Sequence, residues 1–364
     1  MMEEFFKLCL IHCRTKMLGR SILHYIEKIR KAGHCQLTFK AKEVPILFRE
    51  PGVLTGYRIP NQSLKYYIFS MFQIHNETVN IWTHLIAFLI VLGKTLDCVR
   101  NYNAENPQFP VFLGFGICCL FYTFFSTVAH TIHSMSPYVH YKCYQADYAG
   151  IGFYMLGSSF LLYYASCHKD YYDVLELSIL PFNIVMSWFG FICCCMAKLL
   201  YRRPYPFQRK LWQLGSFGTQ VLCTSFIVIA RYLDCWNDTS CSVSSLNHHT
   251  LVYFFMFASI FFFSSHIPEK LWPGKFDMVG QGHQLFHILV TIATLLQYRA
   301  ASIDFAHHST VFKSHKPYLF HILTSVFLYA VLSFVTVICL TPFTLKRIRS
   351  DYESENMSKL RKDK

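Results

Sequence analysis

Charge is what this chain has least of. Asp, Glu, Lys and Arg make up 15% of its 364 residues, where soluble domains carry about 25%. That shortfall excludes a disordered chain and a coiled coil, and no collagen-type glycine period is present. Also missing are the motifs that anchor common chemistries. There is no P-loop, no Gly-x-Gly-x-x-Gly, no Gly-x-Ser-x-Gly elbow and no pair of carboxylates inside the apolar stretches. Phosphotransfer, dinucleotide binding and serine hydrolysis therefore have no foothold. None of the 15 cysteines shows Cys-x-x-Cys spacing, and no internal repeat of useful length occurs.

What the chain does have is apolar bulk. Hydrophobic residues are 53% of it and aromatic ones 17%, with 35 Phe and 23 Tyr, and the mean hydropathy is +0.28. This is the composition of a polytopic all-α membrane protein. Because a charge at mid-bilayer costs roughly 2.5–3.5 kcal/mol, windows free of charge mark the spans. Eight occur, at 78–93, 106–141, 148–168, 177–197, 211–230, 239–268, 278–298 and 317–345. All but the first reach the roughly 20 residues a crossing needs; the first lengthens if Lys94 snorkels and Thr95 and Leu96 join it.

The formal charge of +13 would in a soluble protein suggest a polyanionic partner. Sorted by side of the membrane it means something else. Segments on the side of the termini hold 27 basic residues and the opposite segments 7, which places both termini in the cytosol. No nucleic-acid module accompanies the basic loops. The expected organisation is a cytosolic N-terminal region (1–75), a seven-helix core (76–301), an outer loop with an eighth transmembrane helix (302–345) and a cytosolic tail (346–364). Residues 5–31 mix apolar and basic side chains, which fits either an interfacial helix or a solvated tail.

Asn237-Asp238-Thr239 is a glycosylation sequon in an outer loop, bracketed by Cys235 and Cys241, close enough for a small disulfide. Most other cysteines lie in spans, where packing is the ordinary role. Cys193, Cys194 and Cys195, at an inner helix end, are candidates for palmitoylation. His248-His249 and His307-His308 fall in outer segments and read as solvated loop residues.

A few polar groups gather at the cytosolic ends of the spans, where each is costly unless paired or coordinated. His130 ends the second span, Asp147 opens the third, and His283 and His287 begin the seventh. The i, i+4 spacing of the last two puts both imidazoles on one helix face. With 18 His in the chain, one such pair is expected about once by chance. The coincidence of depth with His130 is what makes three nitrogen ligands for Zn2+ with an open fourth position a candidate. Ser126 lies one turn from His130, Asp147 is placed to hold a water in that position, and Asn80 or Glu77 stand as supporting residues.

Four ordered segments carry a family resemblance: Asn76-Glu77-Thr78-Val79-Asn80-Ile81-Trp82-Thr83-His84-Leu85; Ser126, His130 and Ser134; Asp147-Tyr148-Ala149-Gly150-Ile151; and Pro268-Glu269 through Asp277, Gly280 and His283-Gln284-Leu285-Phe286-His287. Over roughly 43–300 the chain resembles the progestin and adipoQ receptor family. The eighth span and the run Glu43 to Arg58 resemble the membrane progestin receptor subgroup. The resemblance implies a seven-helix bundle plus an extra C-terminal helix, with Zn2+ on His130, His283 and His287. It also implies a steroid or other apolar lipid as ligand and a heterotrimeric G protein as partner at the plasma membrane. Alkaline ceramidases share similar motifs, and imply the alternative of zinc-dependent lipid amide hydrolysis with Asp147 and Ser126 as catalytic residues.

Overall fold

The computed structural model describes residues 38–103, 105–167, 169–203, 205–237, 246–307 and 317–360. The interfacial helix or solvated tail expected at 5–31 lies outside them. Among the described residues the protein is all helical, apart from an isolated antiparallel bridge between Phe39 and Tyr57. The helices are α1 (Leu64–Ser70), α2 (Thr78–Asn101), α3 (Gln108–Ile132), α4 (Pro137–Ser166), α5 (Lys169–Leu175), α6 (Ile179–Leu200), α7 (Phe207–Asn237), α8 (Asn247–Ser265), α9 (Gly282–His307), α10 (Leu319–Cys339) and α11 (Thr341–Leu360). The charge-free windows map in order onto α2, α3, α4, α6, α7, α8, α9 and α10.

Seven of those eight helices are long and apolar enough to cross a membrane. The exception is α4, which is long enough but richer in Tyr, Ser and Gly. Its position explains this: α4 packs against α3, α6, α7, α9 and α10 and is buried along nearly its whole length, so its side chains meet protein instead of lipid. Close approach is set by glycine. A Cβ on Gly150 would stand 2.9 Å from the Tyr122 Cα, and one on Gly157 2.7 Å from the Cys118 Cβ, so α3 and α4 touch through small residues as membrane helices commonly do. The pairs α2–α3, α3–α4, α4–α6, α6–α7, α8–α9 and α9–α2 pack together, and α10 lies against α3, α4 and α6.

The charge-free window 106–141 is broken where α3 ends. Ser136 caps the next helix by accepting from the Val139 N–H, Pro137 occupies its first turn, and α4 therefore begins ten residues before Asp147. Asp147 sits inside a helix and does not open one. The polar first turns of α4 are tolerated because Tyr141 donates to Asp351 at 2.8 Å and the Lys142 ammonium donates to the Val337 carbonyl and Thr341 Oγ1. The tail is helical over Thr341–Leu360, as α11.

Two further corrections concern side chains. Cys193, Cys194 and Cys195 are at most 4% exposed. They are packing residues of α6 with no thiol offered to the bilayer, which removes the basis for palmitoylation. His248 and His249 are not solvated: they lie in the first turn of α8 and both reach Asp304 of α9, at 3.0 and 2.8 Å. Arg231 of α7 forks onto the same carboxylate at 2.8 and 3.1 Å. His307 ends α9, and His308 lies outside the described residues.

The segment before α2 folds against the loop that leads into α9. The Asp277 carboxylate accepts from the backbone N–H groups of Leu54 and Thr55 and from the Thr55 hydroxyl, at 2.9, 2.8 and 2.6 Å. Gln281 donates to the Asn76 carbonyl at 3.2 Å, and Glu269 accepts from Gly282 N–H at 2.7 Å, at the start of α9. The loop 266–281 thereby fixes the entry of α9, the helix that carries His283 and His287.

Candidate metal centre

Three histidines converge between α3 and α9. His283 Nε2 lies 3.1 Å from His130 Nε2, and His287 Nε2 lies 3.1 Å from His283 Nε2. His130 and His287 are 2% and 1% exposed. Helical spacing brings His283 and His287 to one face, and the packing of α3 against α9 supplies His130.

The outer nitrogens fix the tautomers. His130 Nδ1 lies 2.8 Å from Glu77 Oε2, an ionised acceptor, so the proton is assigned to Nδ1 and the Nε2 lone pair faces inward. His287 Nδ1 faces the Asn80 carbonyl at 3.2 Å and Thr83 Oγ1 at 3.1 Å. The Thr83 hydroxyl is already directed at the Val79 carbonyl at 2.8 Å, so His287 Nδ1 is the donor and its Nε2 too is a lone pair. Two lone pairs then point at His283 Nε2, which has at most one proton to give. A buried cation satisfies all three. With Zn–N bonds of about 2.0–2.1 Å, two ligands on a tetrahedron stand about 3.3 Å apart, close to the separations found. This donor set fits Zn2+ with one corner open.

The surrounding residues hold the ligands in place. Glu77, 3% exposed, also accepts from Asn80 Nδ2 at 2.8 Å and faces His133 Nε2 at 3.5 Å. Asn80 thus bears on two ligands, through its side chain on Glu77 and its carbonyl on His287. Arg58 donates to the carbonyls of His130 and Thr131 at 2.6 Å each, closing the last turn of α3. The ring of His84 stacks on His287 with centroids 3.6 Å apart and planes at 11°.

Ser126 and Asp147 lie side by side next to His130. They are not among the three converging ligands. Asn237 is the last residue of α7, and Asp238 and Thr239 of its sequon lie outside the described residues. Cys235 is disulfide-bonded; Cys241 lies outside the described residues.

Several residues at or near the site were not singled out from the sequence, although helical spacing points to some of them. His133 follows His130 by one turn, and His140 precedes Asp147 by two, which places each on the face of a residue already singled out. His84 lies two turns from Glu77. Arg58 and Thr83 are recognisable only from their contacts.

A family model described as haemolysin-III related matches residues 72–298. The membrane progestin receptor beta of Homo sapiens is 37% identical over 78% of this chain and 81% of its own length. The membrane progestin receptor alpha of Cynoscion nebulosus is 36% identical over 74% and 76%, and the gamma-B receptor of Danio rerio 30% over 74% and 82%. The chain belongs to the haemolysin-III-related progestin and adipoQ receptor family, in its membrane progestin receptor subgroup.

Proposed function

We propose that this protein is a membrane receptor for a progestin-type steroid, with Zn2+ held by His130, His283 and His287 to pin α2, α3 and α9 together. Its metal-bearing end and both termini face the cytosol from the plasma membrane, and the basic inner loops pass the signal to a heterotrimeric G protein. The similarity to membrane progestin receptors over about three quarters of the chain carries the ligand class.

A crevice between α4, α7, α8 and α9 suits such a ligand. It is lined by Met155, Leu161, Val221, Val252 and Met256, with Gln297, Ser158 and Thr224 among its polar groups. Its open interior is about 50 Å³, below the roughly 300–1,000 Å³ of small-molecule sites, so a steroid must part the helices to enter, and the largely apolar wall is what suits it. Gln297 is oriented by Tyr154, whose hydroxyl donates to its Oε1 at 2.9 Å.

The test is saturable binding of tritiated progesterone to the purified chain in nanodiscs, with metal content measured on the same sample. Wild type is expected to bind steroid and to hold one zinc, and Met256→Trp to lose steroid but keep zinc. Steroid binding unchanged by Met256→Trp would sink the crevice as its site, and a metal-free, well-folded wild type would sink the zinc centre.

The contact between Ser126 and Asp147 beside His130 favours a second reading, a lipid amide hydrolase acting on ceramide-like substrates. Zinc would supply the Lewis acid for the amide carbonyl. Asp147 would take the proton of the attacking water, with the Ser126 hydroxyl fixing which carboxylate oxygen faces the substrate. Fatty acid released from ceramide by wild type and lost in Asp147→Ala, with zinc retained, would establish it. No release above that of the Asp147→Ala protein would dismiss it.

A further inference from the structure

A second polar cluster lies at the same end of the bundle as the histidines and takes no part in holding them. Lys198, near the end of α6, is 4% exposed. Its ammonium stands 4.2 Å above the Tyr144 ring, and no carboxylate among the described residues pairs with it. The Arg203 and Arg209 guanidinium groups lie over the Tyr205 ring at 4.9 and 3.7 Å from its centroid. Arg203 pairs with Glu50 at 2.7 Å, and Arg209 reaches only the Tyr148 hydroxyl, at 3.4 Å. The Nε atoms of both arginines are buried with no acceptor. Buried donors are ordinarily satisfied, and a buried ammonium without a countercharge is costly.

The field of the cluster is visible on its neighbours. Burial alone would push the Tyr205 phenol up, yet Lys198, Arg203 and Arg209 together bring it down to about 8. His266, across the mouth, is pushed down to about 4 by burial and by Lys210, Arg203 and Arg209, against the opposing pull of Glu50. Three cations against the single carboxylate of Glu50 leave about two positive charges. A carboxylate ligand would neutralise one of them. A phosphate monoester carries about −1.5 to −2 at neutral pH and offers three acceptor oxygens.

We propose that Lys198, Arg203 and Arg209 form a binding site for a phosphate-type oxyanion at the metal-bearing end of the bundle. Arg209 and Tyr205 are half-buried, so the cluster opens to the surface, and the anion comes either from solution or from a phosphorylated lipid headgroup. Tyr144 links the two sites, standing between the Lys198 ammonium and the His130 ring, whose centroid is 6.4 Å from its own.

The full chain in phosphatidylcholine nanodiscs, in phosphate-free buffer, tests this with two probes: inorganic phosphate followed by calorimetry, and phosphatidylinositol 4-phosphate added to the discs and followed by phosphorus NMR. Saturable binding is expected that weakens with salt and falls at least tenfold in Lys198→Met and in Arg209→Gln. Binding of free phosphate identifies a soluble anion, and binding of the lipid alone identifies a headgroup. Should Lys198→Met not fold, the half-buried Arg209→Gln decides. Absence of binding by both probes, or binding unchanged in Arg209→Gln, overturns the proposal.

Discussion

The Glu77 carboxylate and the His130 imidazole meet at 2.8 Å, both almost wholly out of solvent. Such a contact on the outer nitrogen of a ligating histidine sets its tautomer and raises its basicity. Glu77→Gln keeps the shape and removes the charge. Zinc affinity is expected to fall about 10–100-fold, measured by competition with a chromogenic chelator.

If the metal pins the bundle, its removal is felt in stability. Chelation is expected to lower the Tm of wild type, and His283→Ala to lower it to a similar value and abolish the response to chelator. Equal chelator responses in the two proteins would separate the metal from this histidine cluster.

The packing of α3 on α4 leaves no room at Gly157, where a Cβ would already approach the Cys118 Cβ to 2.7 Å. Gly157→Leu is expected to cost about 1–3 kcal/mol or more, seen as a lower Tm, whereas Gly93→Leu, with open space around its Cβ, should cost little.

At the other end of the bundle Asp304, 1% exposed, is the shared acceptor of Arg231, His248 and His249. Asp304→Asn removes the charge that holds Arg231 and is expected to cost about 3–5 kcal/mol. Arg231→Met added to it should recover part of that loss, and a double-mutant cycle measures the coupling.

The Glu50–Arg203 pair gives a pH signature. Burial pushes the Glu50 carboxyl up, and Arg203 and Lys198 together more than reverse it, holding it below the usual carboxylate range. A folded-state value below the unfolded one, about 4.3, contributes stability that is present above the unfolded value and is lost as pH falls through the folded one. Wild-type Tm should therefore drop more steeply below about pH 4.5 than that of Glu50→Gln. Parallel curves would show that Glu50 contributes no such linkage.

The spans were legible because lipid tolerates no unpaired charge, so the gaps between Asp, Glu, Lys and Arg trace the helices. The same rule misplaced the start of α4, since Lys142 and Asp147 are accommodated there by Val337, Thr341 and Ser126, residues remote in sequence. His130, His283 and His287 were legible from spacing and depth. Glu77 and Asn80 were candidates without an order of importance, because a carboxylate at a helix start looks the same whether it serves the helix dipole or a histidine. His248 and His249 read as loop residues because their partner, Asp304, lies 55 residues away.

Arg58 closes α3 and Asp277 clasps Leu54 and Thr55, yet the matched family region begins only at residue 72. The physical unit is therefore wider than the region that the family model matches. A chain trimmed to the matched residues would expose the carbonyls of His130 and Thr131 and free the loop that aims α9. Through Arg58 and the clasp at Leu54 and Thr55, the segment before α2 supports the three histidines as the helices do.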